Sequence, residues 1–146
     1  MELKVHHIGI VVNDIDNAKK VYENTFDMKE MARFTVEAFN AEVCFIPVNN
    51  VYIELVKPLA NDGLGRFLEK HGSGALHHIC YIVDNMEKAV EYFTREKGLK
   101  IIDGVVRDTP CFKKALFFYR LDTGNVLTEL VSGAVCPLPI ISGGNL

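Results

Sequence analysis

Two histidines and two glutamates recur at equivalent places in the chain, and their side chains are of types that bind metal ions. His7 precedes Glu54 by nearly the same distance along the chain as His78 precedes Glu129. Each glutamate interrupts an apolar, strand-like stretch, where burying a carboxylate is costly unless it is paired, hydrogen-bonded or bound to a cation. Imidazoles combined with carboxylates suit Co, Ni, Zn, Mn or Fe(II) better than Mg or Ca. These four residues therefore predict a site for one divalent transition metal ion.

The segments that carry these residues belong to an internal repeat. The sequence HHIGIVV at 6–12 recurs as HHICYIV at 77–83, and each copy continues through polar capping residues into a helical pattern. Each half ends in a strand-like segment, at 51–56 and 126–131, that contains a glutamate. Further β-rich stretches lie between, at about 29–36 and 41–48 in the first half and 99–106 and 113–121 in the second. A β-α-β-β-β unit is thus predicted twice, and pseudo-twofold symmetry would bring the four side chains together.

The length of the chain suits one domain built from these two units. At 146 residues it can bury a single core, but it is too short for two independent folds. We expect an α+β domain over 1–146, with module 1 at about 3–60, module 2 at about 75–132 and a C-terminal tail at 133–146.

Strand alternation predicts which histidines reach the metal. Consecutive residues of a strand face opposite sides of the sheet. His6 and His77 are therefore expected to point away from His7 and His78, and nothing in the sequence ties His71 to the cluster. Replacing His77 should then leave metal binding intact.

Composition excludes several classes of function. The net charge is -3 and no basic run attracts phosphate backbones, so nucleic acid is not an expected partner. No apolar run reaches the length of a membrane helix, and the N-terminus lacks a signal-like apolar segment, so we expect a cytoplasmic protein without membrane association. The cysteines are far apart and form no CxxC pair, which predicts reduced, structural thiols at Cys44, Cys80, Cys111 and Cys136.

Over residues 3–132 the sequence resembles the vicinal oxygen chelate (glyoxalase/bleomycin resistance/dioxygenase) superfamily, and within it the methylmalonyl-CoA epimerase branch. The two His-His segments carry the resemblance, together with stretches at 53–58, 64–74 and 124–130. The resemblance implies paired βαβββ modules that form an eight-stranded cup around a metal. Its ligands fall on the residues already selected, His7, Glu54, His78 and Glu129. We expect a homodimer that acts on a small acyl thioester.

The resemblance also implies a reaction. A metal-dependent epimerase removes the α-proton of an acyl-CoA thioester and returns it through a metal-stabilised enolate. Inversion needs acid/base groups on opposite faces of the carbon, for which the candidates are Glu129 and Glu42, with Glu37 as an upstream alternative to Glu42. The candidates for contact with an anionic substrate are Arg107, Lys113 and Lys114, although a solvated strand edge would also explain them.

Other functions remain open at the level of sequence, among them a natural-product tailoring enzyme built on the epimerase scaffold. A lactoylglutathione lyase of the glyoxalase I type uses a similar His/Glu set and also moves a proton. An extradiol dioxygenase would need two histidines and one carboxylate on Fe(II), which the additional Glu54 disfavours. A non-catalytic small-molecule-binding protein of the same fold would not need the intact quartet. Residues 110–120 lack the Phe-x-His-Pro segment usual in epimerases, which leaves the acyl group undetermined.

Overall fold

The computed structural model describes residues 1–134, which form seven strands and three α-helices. The part of the predicted tail from 135 onward, with Cys136, lies outside the described residues. The strands are β1 (Lys4–Val11), β2 (Ala32–Val36), β3 (Ala41–Val48), β4 (Val51–Pro58), β5 (Ala75–Ile82), β6 (Phe112–Phe118) and β7 (Leu127–Ala134). The helices are α1 (Ile15–Phe26), α2 (Gly63–His71) and α3 (Met86–Glu91), the last followed by a π-helical turn over Tyr92–Glu96.

The repeated segments fold alike up to the first helix of each module. In the first module the side chain of Asp14 accepts a hydrogen bond from the Asn17 N–H at 2.8 Å, and in the second Asn85 accepts one from the Lys88 N–H at 2.9 Å. Such caps satisfy N–H groups that have no partner within the first helical turn. β1 and β5 therefore each give way to a helix, α1 or α3, at the same point of the repeat.

The strands form a single sheet in the order β2-β3-β4-β1-β5-β7-β6. β1 pairs with β5 in antiparallel fashion at the centre, while β4 lies parallel to β1 and β7 parallel to β5. The two modules thus join within one chain, and their central strands lie side by side.

The sheet curls until its two edges approach each other. Phe39, which follows β2, and Phe117 on β6 have ring centroids 5.4 Å apart although β2 and β6 are opposite edge strands. On the outer face, α1 packs on β3 and β4 through Ile15, and α3 packs on β6 and β7 through Met86 and Ala89. The concave face is therefore left open as a half-barrel. Within residues 1–134, no helix has the length and apolar character needed to span a membrane.

The predicted eighth strand is absent from the described residues. Residues 99–106 instead include a 3-10 turn over Ile102–Gly104, in which Asp103 and Gly104 have φ angles of 59° and 65°. A left-handed backbone cannot continue an extended strand. Two isolated bridges to the neighbouring strand β6 remain, one from Ile101 within the segment to Phe118 and one from Arg107 just after it to Ala115.

The two central strands are also irregular. The pairing register between β1 and β5 shifts at His6 and again at His77. A β-bulge of this kind sets two residues of one strand opposite one of the other and interrupts the alternation of faces. Because each bulge falls on the first histidine of a His-His pair, alternation does not decide where that side chain points.

Candidate metal centre

The structure brings together the four residues that the sequence selected. His7 on β1 and His78 on β5 have their Nε2 atoms 3.0 Å apart. The Oε2 atom of Glu129 on β7 lies 3.1 Å from Nε2 of His7 and 3.2 Å from Nε2 of His78. The carboxylate oxygens of Glu54 on β4 lie 3.6 Å and 3.5 Å from the same two nitrogens. All four residues are buried, so they form one compact cluster on the concave face.

Strand register explains this convergence. Glu54 lies opposite Gly9 on the parallel strand β1, two residues beyond His7, and Glu129 lies opposite Cys80 on β5, two residues beyond His78. A separation of two residues keeps histidine and glutamate on one face. The antiparallel contact of β1 with β5 then sets the two His/Glu pairs side by side.

The buried groups influence one another strongly. Burial alone would raise the pKa of Glu129, but the adjacent rings of His7 and His78 outweigh it and hold that pKa well below its usual value. Burial lowers the pKa of His7, yet Glu54 and Glu129 together raise it above its ordinary value. Burial raises the pKa of Glu54, an effect that the two histidines only partly offset. Glu129 is therefore the carboxylate most stabilised as an anion.

These side chains suit a metal ion. His7, His78 and Glu129 each offer a ligand atom within 4.8 Å of the others. Glu54 adds a second carboxylate near Nε2 of His7 and Nε2 of His78. Two buried carboxylates need positive charge nearby, and mixed nitrogen and oxygen donors suit a divalent transition metal. The donor set thus fits the ion that the sequence predicts.

Each of the two central histidines also contacts the histidine before it. The Nδ1 atoms of His6 and His7 lie 2.9 Å apart, and those of His77 and His78 lie 2.8 Å apart. The prediction that His6 and His77 point away from the cluster is therefore wrong, and the bulges are the physical reason. Burial, with His78 and Arg120 nearby, lowers the pKa of His77 to about 3 and keeps its ring neutral.

A cavity of about 520 Å³ opens onto the cluster, and Glu54, His78 and Glu129 lie in its wall. Most of the lining is apolar, with contributions from Phe39, Val43, Val56, Leu64, Phe67 and Phe117. Two cationic side chains also line it. One is Arg107, which the sequence predicts, and the other is Arg120, which it does not. The Arg120 guanidinium carbon lies 5.4 Å from the centre of the Phe67 ring.

The other predicted substrate and acid/base residues lie elsewhere. Glu42 is not among the cavity-lining residues, and its Oε1 accepts a hydrogen bond from Arg33 at 3.4 Å. Arg33 also binds Asp16 of α1, which covers the outer face of the sheet. Because Val43 lines the cavity, alternation along β3 turns its neighbour Glu42 outward.

The two lysines are likewise outside the cavity, and their contact with an anionic substrate stays a prediction. The Lys113 side chain lies against Gly133, and Lys114 pairs with Glu87 of α3.

Glu37, the upstream alternative to Glu42 as acid/base residue, is placed differently from Glu42. It is exposed and begins a 3-10 turn, Glu37–Phe39, whose remaining residues line the cavity.

The fold is a curled sheet made of two related modules. Its histidines and glutamates meet on the concave face, as in a class of small proteins whose sheets surround a metal site. The chain belongs to the glyoxalase/bleomycin resistance protein/dioxygenase superfamily, whose family model matches residues 6–117.

Within this superfamily, the chain is similar to several acyl-CoA epimerases. It is 31% identical over 129 residues to the ethylmalonyl-CoA/methylmalonyl-CoA epimerase of Cereibacter sphaeroides, covering 87% of this chain and 96% of that protein. It is 30% identical over 128 residues to human mitochondrial methylmalonyl-CoA epimerase, covering 87% and 72%. The solved structure of a single-residue variant of Streptomyces coelicolor methylmalonyl-CoA epimerase with 2-nitronate-propionyl-CoA matches with a TM-score of 0.83 at 25% identity, covering 92% of this chain and 97% of that one.

Proposed function

We propose that this protein is a metal-dependent epimerase that removes the α-proton of an acyl-CoA thioester and returns it to the opposite face of the carbon. One observation carries the proposal. Ligand atoms of His7, His78 and Glu129 meet within 4.8 Å of one another beside a cavity of about 520 Å³, in a chain similar to methylmalonyl-CoA epimerases.

We infer that His7, Glu54, His78 and Glu129 hold one divalent transition metal ion, drawn from Co, Ni, Zn, Mn and Fe. When bound, such an ion supplies a Lewis acid that stabilises negative charge on the oxygens of the substrate. The protein contributes a preformed set of donors, because all four side chains are buried and lie on the central strands of the sheet.

Two carboxylates are proposed to move the proton. Glu129 lies in the cavity wall, where its carboxylate can reach a bound substrate. For the opposite face we favour Glu37 over Glu42. Glu37 is exposed and begins the turn whose next two residues line the cavity, although it does not line the cavity itself, whereas Arg33 binds Glu42 on the outer face of the sheet.

Arg107 and Arg120 are proposed to receive the anionic parts of the substrate, in place of Lys113 and Lys114. Both arginines line the cavity, and a guanidinium can hold a carboxylate or phosphate through two parallel hydrogen bonds. The apolar walls between them suit the thioester and the acyl chain.

We also propose that the protein acts as a cytoplasmic homodimer, joined through the outer face of β1 and β5. This face carries apolar side chains that include Val5 and Leu76, which are 37% and 52% exposed. The helices α1 and α3 pack to either side of it, on β3 and β4 and on β6 and β7. Light scattering during gel filtration tests the assembly, and a mass of one chain at micromolar concentration would count against it.

Deuterium exchange tests the proposed reaction. Protein loaded with Co(II) is incubated with methylmalonyl-CoA in D2O, and loss of the α-proton signal is followed by NMR against a protein-free control. We expect exchange that disappears on chelation and in Glu129→Gln. Turnover of the methylglyoxal–glutathione hemithioacetal instead would identify a lyase. If neither substrate undergoes metal-dependent exchange, a non-catalytic binding function remains.

A further inference from the structure

We propose that His6 and His77 are positioning residues for the metal centre. Each accepts, at Nδ1, the proton carried on Nδ1 of the histidine that follows it. This contact fixes the orientation and tautomer in which Nε2 of His7 and His78 carries a lone pair toward the centre. The inference rests on the metal site proposed above and concerns how that site is built.

The distances define the arrangement. Nδ1 of His6 lies 2.9 Å from Nδ1 of His7, and Nδ1 of His77 lies 2.8 Å from Nδ1 of His78. At the other side of the rings, Nε2 of His7 and Nε2 of His78 face each other and Glu129. A neutral imidazole that binds a cation through Nε2 carries its proton on Nδ1. That N–H is buried and needs an acceptor, which the preceding histidine provides.

The contact exists because of the bulges. In a regular strand, adjacent side chains lie on opposite faces and two neighbouring histidines could not meet. The register between β1 and β5 shifts at His6 and at His77, and at both places this first ring contacts the histidine that follows it. Bulges beside functional sites commonly redirect a side chain in this way. The same local solution occurs in both modules.

Aromatic neighbours hold both acceptor rings in place. His6 stacks on Tyr52, with ring centroids 5.2 Å apart, and meets the edge of Phe112 at 4.9 Å. His77 meets Phe67 edge-on at 4.8 Å. A ring packed in this way presents its Nδ1 lone pair in one direction. An imidazole acceptor also orients the ligand without adding a third carboxylate to a centre that already has two.

Nitrogen-15 NMR tests the contact directly. Protein with 15N-labelled histidine is loaded with Zn(II), and scalar coupling between the Nδ1 atoms of His77 and His78 is measured across the hydrogen bond. We expect Nδ1 of His78 to be protonated and coupled to Nδ1 of His77. His77→Leu should lose the coupling and weaken zinc binding by about 10- to 100-fold in competition with a chelator. His77→Asn, whose side-chain oxygen can replace Nδ1 as acceptor, should recover most of the affinity.

His71→Leu is the matched control, because His71 also packs on Phe67, at 4.3 Å, and is not among the residues that contact the cluster. It should bind zinc as tightly as the unmodified protein. The inference would be overturned, with the metal site left in place, if zinc-loaded protein carried the proton of His78 on Nε2. Zinc-loaded protein without coupling between Nδ1 of His78 and Nδ1 of His77 would overturn it in the same way. Unchanged zinc affinity in His77→Leu would overturn it too. Protein that takes up no zinc would overturn both proposals.

Discussion

Gly9 on β1 lies directly opposite His78 on β5, and the His78 ring occupies the space that a side chain at position 9 would need. A Cβ atom built on Gly9 would overlap Cε1, Nδ1 and Nε2 of that ring. The equivalent position in the second module is Cys80, which faces His7. The absence of a side chain at Gly9 is thus a requirement of the candidate centre, and no unusual backbone angle is involved.

Gly9→Ala should damage both stability and the centre. The new methyl group must displace a buried ring, so we expect a loss of about 1–3 kcal/mol in the free energy of unfolding and a clear loss of metal affinity. Thermal unfolding of metal-free protein and titration with Co(II) measure the two effects. Gly63→Ala is the control, because a Cβ there meets no atom within 4 Å. Equal behaviour of the two variants would contradict the close packing of Gly9 on His78.

Metal content should depend on the four clustered side chains. We expect purified protein to carry about one transition metal ion per chain, because two buried carboxylates need a positive charge. Glu129→Gln should lower metal affinity and abolish α-proton exchange together, since Glu129 is proposed both as ligand and as acid/base group. Elemental analysis provides the measurement. Less than a tenth of that occupancy, unrestored by added Co or Ni, would refute the site.

The acid/base group opposite Glu129 can be located by two matched substitutions. Glu37→Gln should reduce epimerisation by about 10²-fold or more with metal content unchanged, which is the scale usual for the loss of a general base. Glu42→Gln should leave the rate close to that of the unmodified protein, since its carboxylate binds Arg33 outside the cavity. Steady-state rates and metal analysis of both variants show whether Glu37 or Glu42 is the second acid/base group. A slow Glu42→Gln beside a normal Glu37→Gln would show that the assignment is reversed.

Arg120 should contribute to substrate affinity. Arg120→Ala removes a cation from the cavity wall, and the loss of a charge-assisted contact of about 1.5–3 kcal/mol would raise KM by at least about tenfold. Lys113→Ala is the control, because Lys113 is a cation outside the cavity wall. Initial rates over a range of acyl-CoA concentrations separate KM from kcat. A KM that changes equally in both variants would indicate a general charge effect.

Cys44 should react slowly with thiol reagents in the folded protein. Burial, together with Glu30, raises the pKa of Cys44 to about 12. Because the thiolate is the reactive form and the pKa is raised, the group stays a neutral thiol until the pH approaches 12, and its reactivity increases with pH. At pH 8 we expect alkylation about 10³-fold slower than in the unfolded chain, whose thiol has a pKa near 8.5. Peptide mass spectrometry measures both rates, and similar rates would contradict the buried environment.

The sequence by itself was sufficient to select the residues that meet at the centre. The repeated HHI segments and the glutamates in apolar strands are local patterns, and the cost of burying a carboxylate applies whatever the remaining fold. The predicted β-stretch at 41–48 coincides with β3, Ala41–Val48, because strand propensity and the Asn49-Asn50 turn agree there. The capping residues Asp14 and Asn85 likewise began helices where expected.

Tertiary structure decided which other side chains lie beside the four clustered residues and in the cavity. A single strand does not reveal where its pairing register shifts, so the turning of His6 and His77 onto His7 and His78 follows only from the contact of β1 with β5. The outward direction of Glu42 depends on which face of β3 packs under α1, and Arg120 reaches the cavity only because the sheet curls. In each case the position depends on a partner far away in the chain, and local sequence patterns do not contain that information.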